Sequence, residues 1–307
     1  DLDADLTVSH LLNPVNRMGG EWRNTVQFGT NSVLATEYYQ PLDPSMAWVF
    51  DSRIRYALDY INLFSAEGDA LAEYHFRTLE GVAGFGRVFG HWGQLSLAAF
   101  RATGSGNARI GSSALPPVSS DDGGVLVDFN VDTLDSTTWP RRGTNARGQY
   151  RRSLTSFGAE ASGSFARVGM GKALTGGRNT VYLSVEASDV ISGSTMLDNL
   201  YTLGGLFRLS GLFPNQLIGE RGGIARVMYY RELTKFSLGS MTQRMFAGFS
   251  VETGNVYNQG DPVTWSSLRL SGSIFVGADT ILGPAYLGYG YDESGQESGY
   301  LVIGRRF

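Results

Sequence analysis

The chain has 307 residues, of which 42% are hydrophobic and 18% charged, and its formal net charge of −4 argues against a nucleic-acid binder. No window holds the ~18 or more consecutive apolar residues that a membrane helix needs, which excludes a helical membrane protein. There is no Cys, so neither a disulfide framework nor a thiolate metal site can form, and the chain suits an oxidising envelope compartment. The 41 Gly, with 17 Phe, 15 Tyr and 5 Trp, are unusual for a soluble α/β enzyme but natural for a barrel with aromatic girdles at its interfaces.

Taken in order, about fifteen strand-like runs are predicted, at residues 4–12, 21–29, 33–41, 46–60, 70–88, 93–103, 123–133, 143–153, 155–169, 178–190, 223–233, 242–253, 265–278, 284–292 and 298–307. Their common feature is apolar residues at every second position, because successive side chains of a strand point to opposite faces. In the fourth run Asp51, Arg53, Arg55 and Asp59 oppose Phe50, Ile54, Tyr56 and Leu58. Val125, Val127, Phe129 and Val131 oppose Asp128, Asn130 and Asp132, and Val181, Leu183, Val185 and Ala187 oppose Tyr182, Ser184, Glu186 and Ser188. Met245, Ala247, Phe249 and Val251 likewise face away from Arg244, Gly248, Ser250 and Glu252. The cleanest case sets Leu268, Leu270, Gly272, Ile274, Val276 and Ala278 against Arg269, Ser271, Ser273 and Gly277, with Phe275 the one aromatic on the polar side.

Alternation alone leaves open which face is wet, since a soluble sandwich turns its polar face outward and a membrane barrel its apolar one. Connections favour the barrel. Short turns such as Gly90-His91-Trp92 and the Gly283-Pro284 corner alternate with long polar loops at 104–122 and 191–222. Open sheet edges are not tolerated in hydrocarbon, so a sheet of this size in a membrane must close. The expected fold is all-β, a transmembrane antiparallel β-barrel forming one domain over 1–307. Bacterial barrels have even strand numbers, so an odd count places a first strand upstream of Asp1. No signal peptide is legible either, as in a mature fragment of a longer precursor.

Chemical motifs fail on context. There is no G-x-S-x-G nucleophile elbow, and Asp121-Asp122-Gly123 reads as a turn in a long loop. The run Gly81–Gly86 lacks the Lys and the strand-to-helix context of a phosphate cradle and reads as a bent strand. His10, His75 and His91 are too scattered for a metal site; His91 falls in a short turn, and His75, between Glu73 and Arg77, faces a polar interior. No catalytic residue, metal or cofactor is expected. Arg244 and Glu252 line the interior wall, where both simply solvate it unless a loop folds back into the lumen for one of them to hold.

The stretch 203–231, LGGLFRLSGLFPNQLIGERGGIARVMYYR, resembles the Omp85 superfamily, in particular the C-terminal barrel of patatin-like autotransporters of type Vd secretion. In that superfamily a Gly-Gly pair precedes a VRGF-like tetrapeptide in a sixth extracellular loop that folds back into the lumen. Here Gly204 and Gly205 precede Leu209, Ser210, Gly211 and Leu212, so that Ser210 stands where the pattern has Arg, and Arg208 lies two positions earlier. DTLDSTTWPRRG at 132–143 resembles the periplasmic turn between strands eight and nine, and EYYQPLD at 37–43 the periplasmic end of strand four. ETGNVY at 252–257 and GSIFVGADTILGPAYLGYG at 272–290 resemble strand thirteen and the next hairpin. The ending GYLVIGRRF resembles substrates of the barrel-assembly machinery, with Leu301, Ile303 and Phe307 as the signal and Arg305 departing from it.

The resemblance implies sixteen strands, with residues 4–12 as the second. It also implies a Gram-negative outer-membrane location and a translocator or anchor for an N-terminal patatin-like passenger, with a POTRA domain upstream. Partners would be the lipid bilayer, the barrel-assembly machinery, the chain's own passenger and POTRA domains, and a second copy through the seam between first and last strands. Any lipase activity would lie upstream of this fragment. Two other readings remain at this stage, a passive outer-membrane pore and a barrel-embedded hydrolase.

Overall fold

A computed structural model describes residues 5–29, 31–64, 70–110, 118–193, 200–238, 241–280 and 283–304. The strands are β1 (Asp5–Leu12), β2 (Glu21–Gly29), β3 (Ser32–Pro41), β4 (Trp48–Phe64), β5 (Ala70–Phe89), β6 (Gly93–Ile110), β7 (Val118–Asp132), β8 (Gly143–Ser153), β9 (Gly163–Gly176), β10 (Asn179–Ser192), β11 (Tyr201–Leu203), β12 (Leu217–Gly219), β13 (Arg221–Leu238), β14 (Met241–Tyr257), β15 (Arg269–Thr280), β16 (Gly283–Asp292) and β17 (Glu297–Ile303). Fifteen of them form one sheet in sequence order, while β11 and β12 pair only with each other as an antiparallel two-stranded element. Sequential neighbours joined by turns pair antiparallel, as in β4 with β5 and β13 with β14.

The polarity of the sheet is inverted relative to a water-soluble protein. On β15 the apolar side chains Leu270, Ile274 and Val276 are 51%, 66% and 44% exposed, whereas Ser271 and Ser273 on the alternate face are 4% and 6% exposed. β14 repeats this with exposed Phe249 and Val251 against buried Ser250 and Glu252, and β10 with exposed Leu183 and Val185 against buried Tyr182 and Ser188. The open question left by periodicity is thereby answered: the greasy face is the outer one. A charge placed on such a face in lipid costs roughly 2–4 kcal/mol near the midplane, which is why the ionisable residues collect on the other.

The chain divides into two compact units. The first comprises Asp1–Asn130, Gly148–Ala166 and Val190–Asn199. Its β4, β5 and β6 run for 17, 20 and 18 residues, well beyond the ~9–11 that a tilted strand needs to cross a bilayer. The extra length is why the expected long loop at 104–122 is mostly strand: β6 continues to Ile110 and β7 begins at Val118. Asp121-Asp122-Gly123 consequently lies inside β7 rather than in a turn, with Asp122 buried and 3.3 Å from Arg151. Arg151 also meets Glu80 at 2.9 Å and lies over the Phe100 ring at 3.7 Å, and Glu80 in turn takes Arg53 at 3.1 Å. Of the β4 charges, Arg53 thus joins this network and Arg55 pairs with Asp59 at 3.9 Å, while Asp51 Oδ2 is buried without a hydrogen-bond partner among the described residues. Gly81–Gly86 is continuous with β5, and a side chain on Gly84 would come within 2.4 Å of the Leu97 carbonyl. His75 sits in β5 opposite Tyr60 and Asn107, His91 in the exposed turn after it, and His10 on β1.

One expected boundary in this unit is corrected. Residues 155–162 are not strand: Thr155–Phe157 make a 3-10 turn ended by Gly158 at φ 88°, and β9 starts at Gly163.

The second unit comprises Val131–Arg147, Arg167–Asp189 and Leu200–Phe307. Here the start expected at 265 is displaced, because Trp265–Ser267 form a 3-10 turn closed by reciprocal bonds between Thr264 and Ser267. Its buried face is aromatic as well as polar. Trp139, Tyr182, Phe207, Met228, Tyr230, Phe246, Phe275 and Tyr286 make one cluster. Leu301 and Ile303 are exposed on β17, and Phe307, the third residue of the expected assembly signal, lies outside the described residues.

Candidate functional site

The segment between β10 and β13 was expected to be a long polar loop, but its residues 201–212 are almost all buried. Tyr201, Leu203, Leu206, Phe207, Leu209, Ser210 and Leu212 are all 1% exposed or less. The β11–β12 pair closes its base, with Leu203 opposite Leu217. Between them the backbone makes a tight knot: Gly204 N–H donates to the Arg208 carbonyl (2.7 Å), Gly205 N–H to Leu212 (3.0 Å) and Arg208 N–H to Gly205 (2.9 Å).

This knot needs unusual backbone. Gly204, Gly205 and Gly211 have φ of 124°, 97° and 111°, which suits glycine, but Phe207 and Leu209 adopt 67° and 65° without that freedom. A bulky residue held there costs about 1–3 kcal/mol, offset here by complete burial of both side chains.

The knot is fastened to the wall by Ser210. Its N–H donates to Glu252 Oε2 at 2.7 Å and its hydroxyl to Oε1 at 2.8 Å, while Phe207 N–H donates to the same hydroxyl at 2.9 Å. Glu252 on β14 is 0% exposed, and Ser250 Oγ donates to it at 2.5 Å. Among the described residues its direct partners are hydroxyl and backbone donors, Ser210 standing where the resembled tetrapeptide has an arginine. A guanidinium does stand opposite, since Arg226 pairs in register with Glu252, but its Nη1 donates to the Phe207 carbonyl at 3.1 Å. Arg244, the other residue expected near the loop, turns to Asp279 at 3.0 Å and does not hold it. Arg208 bonds Glu186 at 3.3 Å and the Thr202 carbonyl at 2.9 Å, so it does not stand in for the arginine of the pattern at Glu252.

The far side of the knot rests on β16 and β17. Tyr300 Oη donates to the Leu212 carbonyl at 2.8 Å and Ser298 Oγ to that of Gly211 at 3.0 Å. Room for this contact comes from glycines on the buried face: a Cβ on Gly290 would lie 2.6 Å from both Gly211 N and Ser210 Cβ, and one on Gly288 3.0 Å from Leu206. Replacing Gly290 by leucine is therefore expected to leave the sheet paired but to expel the knot, at about 1–3 kcal/mol of overpacking. Trypsin cleavage after Arg208 in the folded protein would report it, and protection equal to that of the unsubstituted protein would refute this account of the glycine.

A second insertion comes from the turn 133–143, which packs under the same wall. Trp139 is fully buried, stacked on Phe246 at 4.2 Å and beside Tyr286 at 5.0 Å and Tyr230 at 5.5 Å. A Cβ on Gly277 would lie 2.3 Å from its indole, another position where only hydrogen leaves room. Tyr230 Oη donates to the Pro140 carbonyl and Arg141 pairs with Glu232 at 3.3 Å. Sequence reading placed Trp139 in a turn but did not foresee that it would become core.

No family model matches the chain, and no curated protein does. Solved structures do. The chain is similar to BamA from Haemophilus ducreyi lacking POTRA domains 1–3, with TM-score 0.76 and 12% identity over 97% of this chain and 66% of that one. It is similar to CdiB from Escherichia coli, with TM-score 0.66 and 14% identity over 98% of this chain and 57% of that one. The corresponding figures for CdiB from Acinetobacter baumannii are 0.56, 9%, 97% and 58%. The chain thus spans less than two thirds of the length of these structures. At such identities the likeness shows the fold: an all-β, antiparallel barrel of the BamA and CdiB kind.

Proposed function

We propose that the chain is the outer-membrane barrel of an Omp85-type protein transporter, which guides or anchors an N-terminal passenger at the surface of a Gram-negative cell. The observation that carries this reading is the knot at 204–212, folded against the buried wall and held by Ser210 on Glu252. A passive pore has no need of a strained, fully buried loop. The likeness to BamA and CdiB supports the same class, and the exposed apolar face supports a lipid environment. In this reading the fragment is not itself an enzyme; a patatin-like lipase passenger and a POTRA domain lie upstream, and the barrel-assembly machinery inserts the barrel.

The test uses the chain with its native upstream segment, expressed in the outer membrane. Antibody accessibility of the passenger on whole cells is expected to fall when Glu252 is replaced by alanine, while the barrel remains heat-modifiable on gels. A passive pore would instead show steady, large single-channel conductance and indifference to Gly205→Val. Lipid hydrolysis by the barrel fragment alone would favour the hydrolase reading.

A further inference from the structure

Beside the knot lies a cavity of about 280 Å³ whose polar lining is unbalanced in charge. Arg147 of β8, Arg208 of the knot and Arg226 of β13 all line it, and among its lining residues only Glu186 is acidic. Glu186 shows how the site treats a carboxylate: Arg147 takes one oxygen at 2.9 Å and Arg208 the other at 3.3 Å. Neither guanidinium is exhausted, because each carries five donors; the hydrogen bond found for Arg147 goes to Glu186 alone, through Nη2, and its side chain is 66% exposed. Arg226 donates to Ser184 and to the Phe207 carbonyl and stacks near the Tyr182 ring at 5.8 Å. Leu206, Phe207 and Ile224 supply the apolar part of the wall, and Asn145, Tyr182 and Ser184 add uncharged polar groups.

We infer that this cavity binds an acidic side chain of an extended polypeptide, its carboxylate meeting Arg147 and its methylene stem the apolar wall beside Phe207. A bare oxyanion such as phosphate would satisfy the guanidiniums but leave the apolar half without a partner, whereas a glutamate side chain matches both. Fork-shaped guanidiniums favour planar carboxylates. The inference rests on the translocator reading, in which the passing polypeptide supplies that side chain, and gives the barrel a preference for acidic segments at the knot.

The experiment titrates the full chain, refolded in detergent micelles, with a short oligoglutamate, the matching oligoglutamine and inorganic phosphate, followed by calorimetry. Saturable, salt-sensitive binding of oligoglutamate is expected, with no binding of oligoglutamine. Arg147→Gln is expected to weaken it about tenfold or more, whereas Arg221→Gln, whose guanidinium pairs with Asp189 away from the cavity, leaves it unchanged. Gly169→Leu is a second variant that keeps every charge and fills the space, since its Cβ would stand 3.4 Å from Arg147 Nε. Oligoglutamate binding that survives both variants, or phosphate binding as tight as that of oligoglutamate, would overturn the assignment. Binding is read on the isolated chain, so its absence leaves passenger display unjudged; loss of the transporter reading would appear in the whole-cell assay instead.

Discussion

Glu252→Ala is expected to release the knot at 204–212 while the sheet survives. The substitution removes the bonds that the Ser210 N–H and hydroxyl make to the carboxylate, the hydroxyl being shared between both oxygens, and leaves these two donors facing an emptied, 0% exposed site. Hydrogen bonds to a charged acceptor contribute about 1.5–3 kcal/mol each, so the loss is on the order of 3 kcal/mol, roughly a hundredfold shift toward the unseated loop. Strain adds to the shift, because Phe207 and Leu209 keep positive φ only while their side chains stay buried. The chain has no Cys, so Leu212→Cys, at a position now fully buried, gives a clean reporter. Maleimide is expected to label it slowly in the otherwise unchanged protein, rapidly beside Glu252→Ala, and at an intermediate rate beside Glu252→Gln, which keeps one acceptor. Equal labelling in all three would mean that β16 and β17 hold the knot and Glu252 does not.

Glu252 could be singled out from sequence as one of two candidates, and the reason only one of them holds the loop is instructive. Arg244 and Glu252 share a face of β14, but strand pairing sets Arg244 beside Asp279 and Glu252 beside Ser271 and Arg226. Periodicity fixes the face of a residue; register fixes its partner, and register is not visible in one strand alone. For the same reason the strand positions were largely legible and their lengths were not. Toward their ends the strands lose the apolar alternation in sequence, as along Gly104–Ile110 of β6 and Val118–Asp122 of β7, where Gly, Ser, Asn and Asp predominate. The β11–β12 pair escaped notice because three-residue strands are too short to show a period.

The aromatic interior had a faint signature that went unread. Phe275 broke the alternation of β15, and its neighbours on the same buried face, Gly277 on β15 and Gly288 on β16, lack side chains. Glycine where a polar wall residue belongs, next to an inward aromatic, signals that something from elsewhere in the chain packs there. Here two things do, Trp139 and the knot, and the first of these could not be tied to the wall from sequence because it lies more than a hundred residues away.

That shared wall predicts coupling between the turn and the loop. Phe207 of the knot lies 4.9 Å from Phe275 and 5.8 Å from Tyr286, and Trp139 of the turn lies 6.3 Å and 5.0 Å from the same two rings. Trp139→Ala is expected to cost about 3–5 kcal/mol, since it empties a fully buried site that its stacked neighbours cannot all fill. Once it is gone, Phe275 and Tyr286 are free to tilt into the vacated space, and the contacts that Phe207 makes with them are already weakened. Phe207→Ala should then cost less in the Trp139→Ala background than alone, by about 1 kcal/mol, a non-additivity typical of residues sharing a packed neighbour. Urea unfolding of all four proteins in lipid vesicles measures the cycle, and strict additivity would show that the two insertions are held independently. Coupling of this size would have a directional consequence: with the turn in place, unseating the loop must also disturb rings that the turn clamps, so Trp139→Ala should by itself hasten maleimide labelling at Leu212→Cys even though Ser210 and Glu252 are intact.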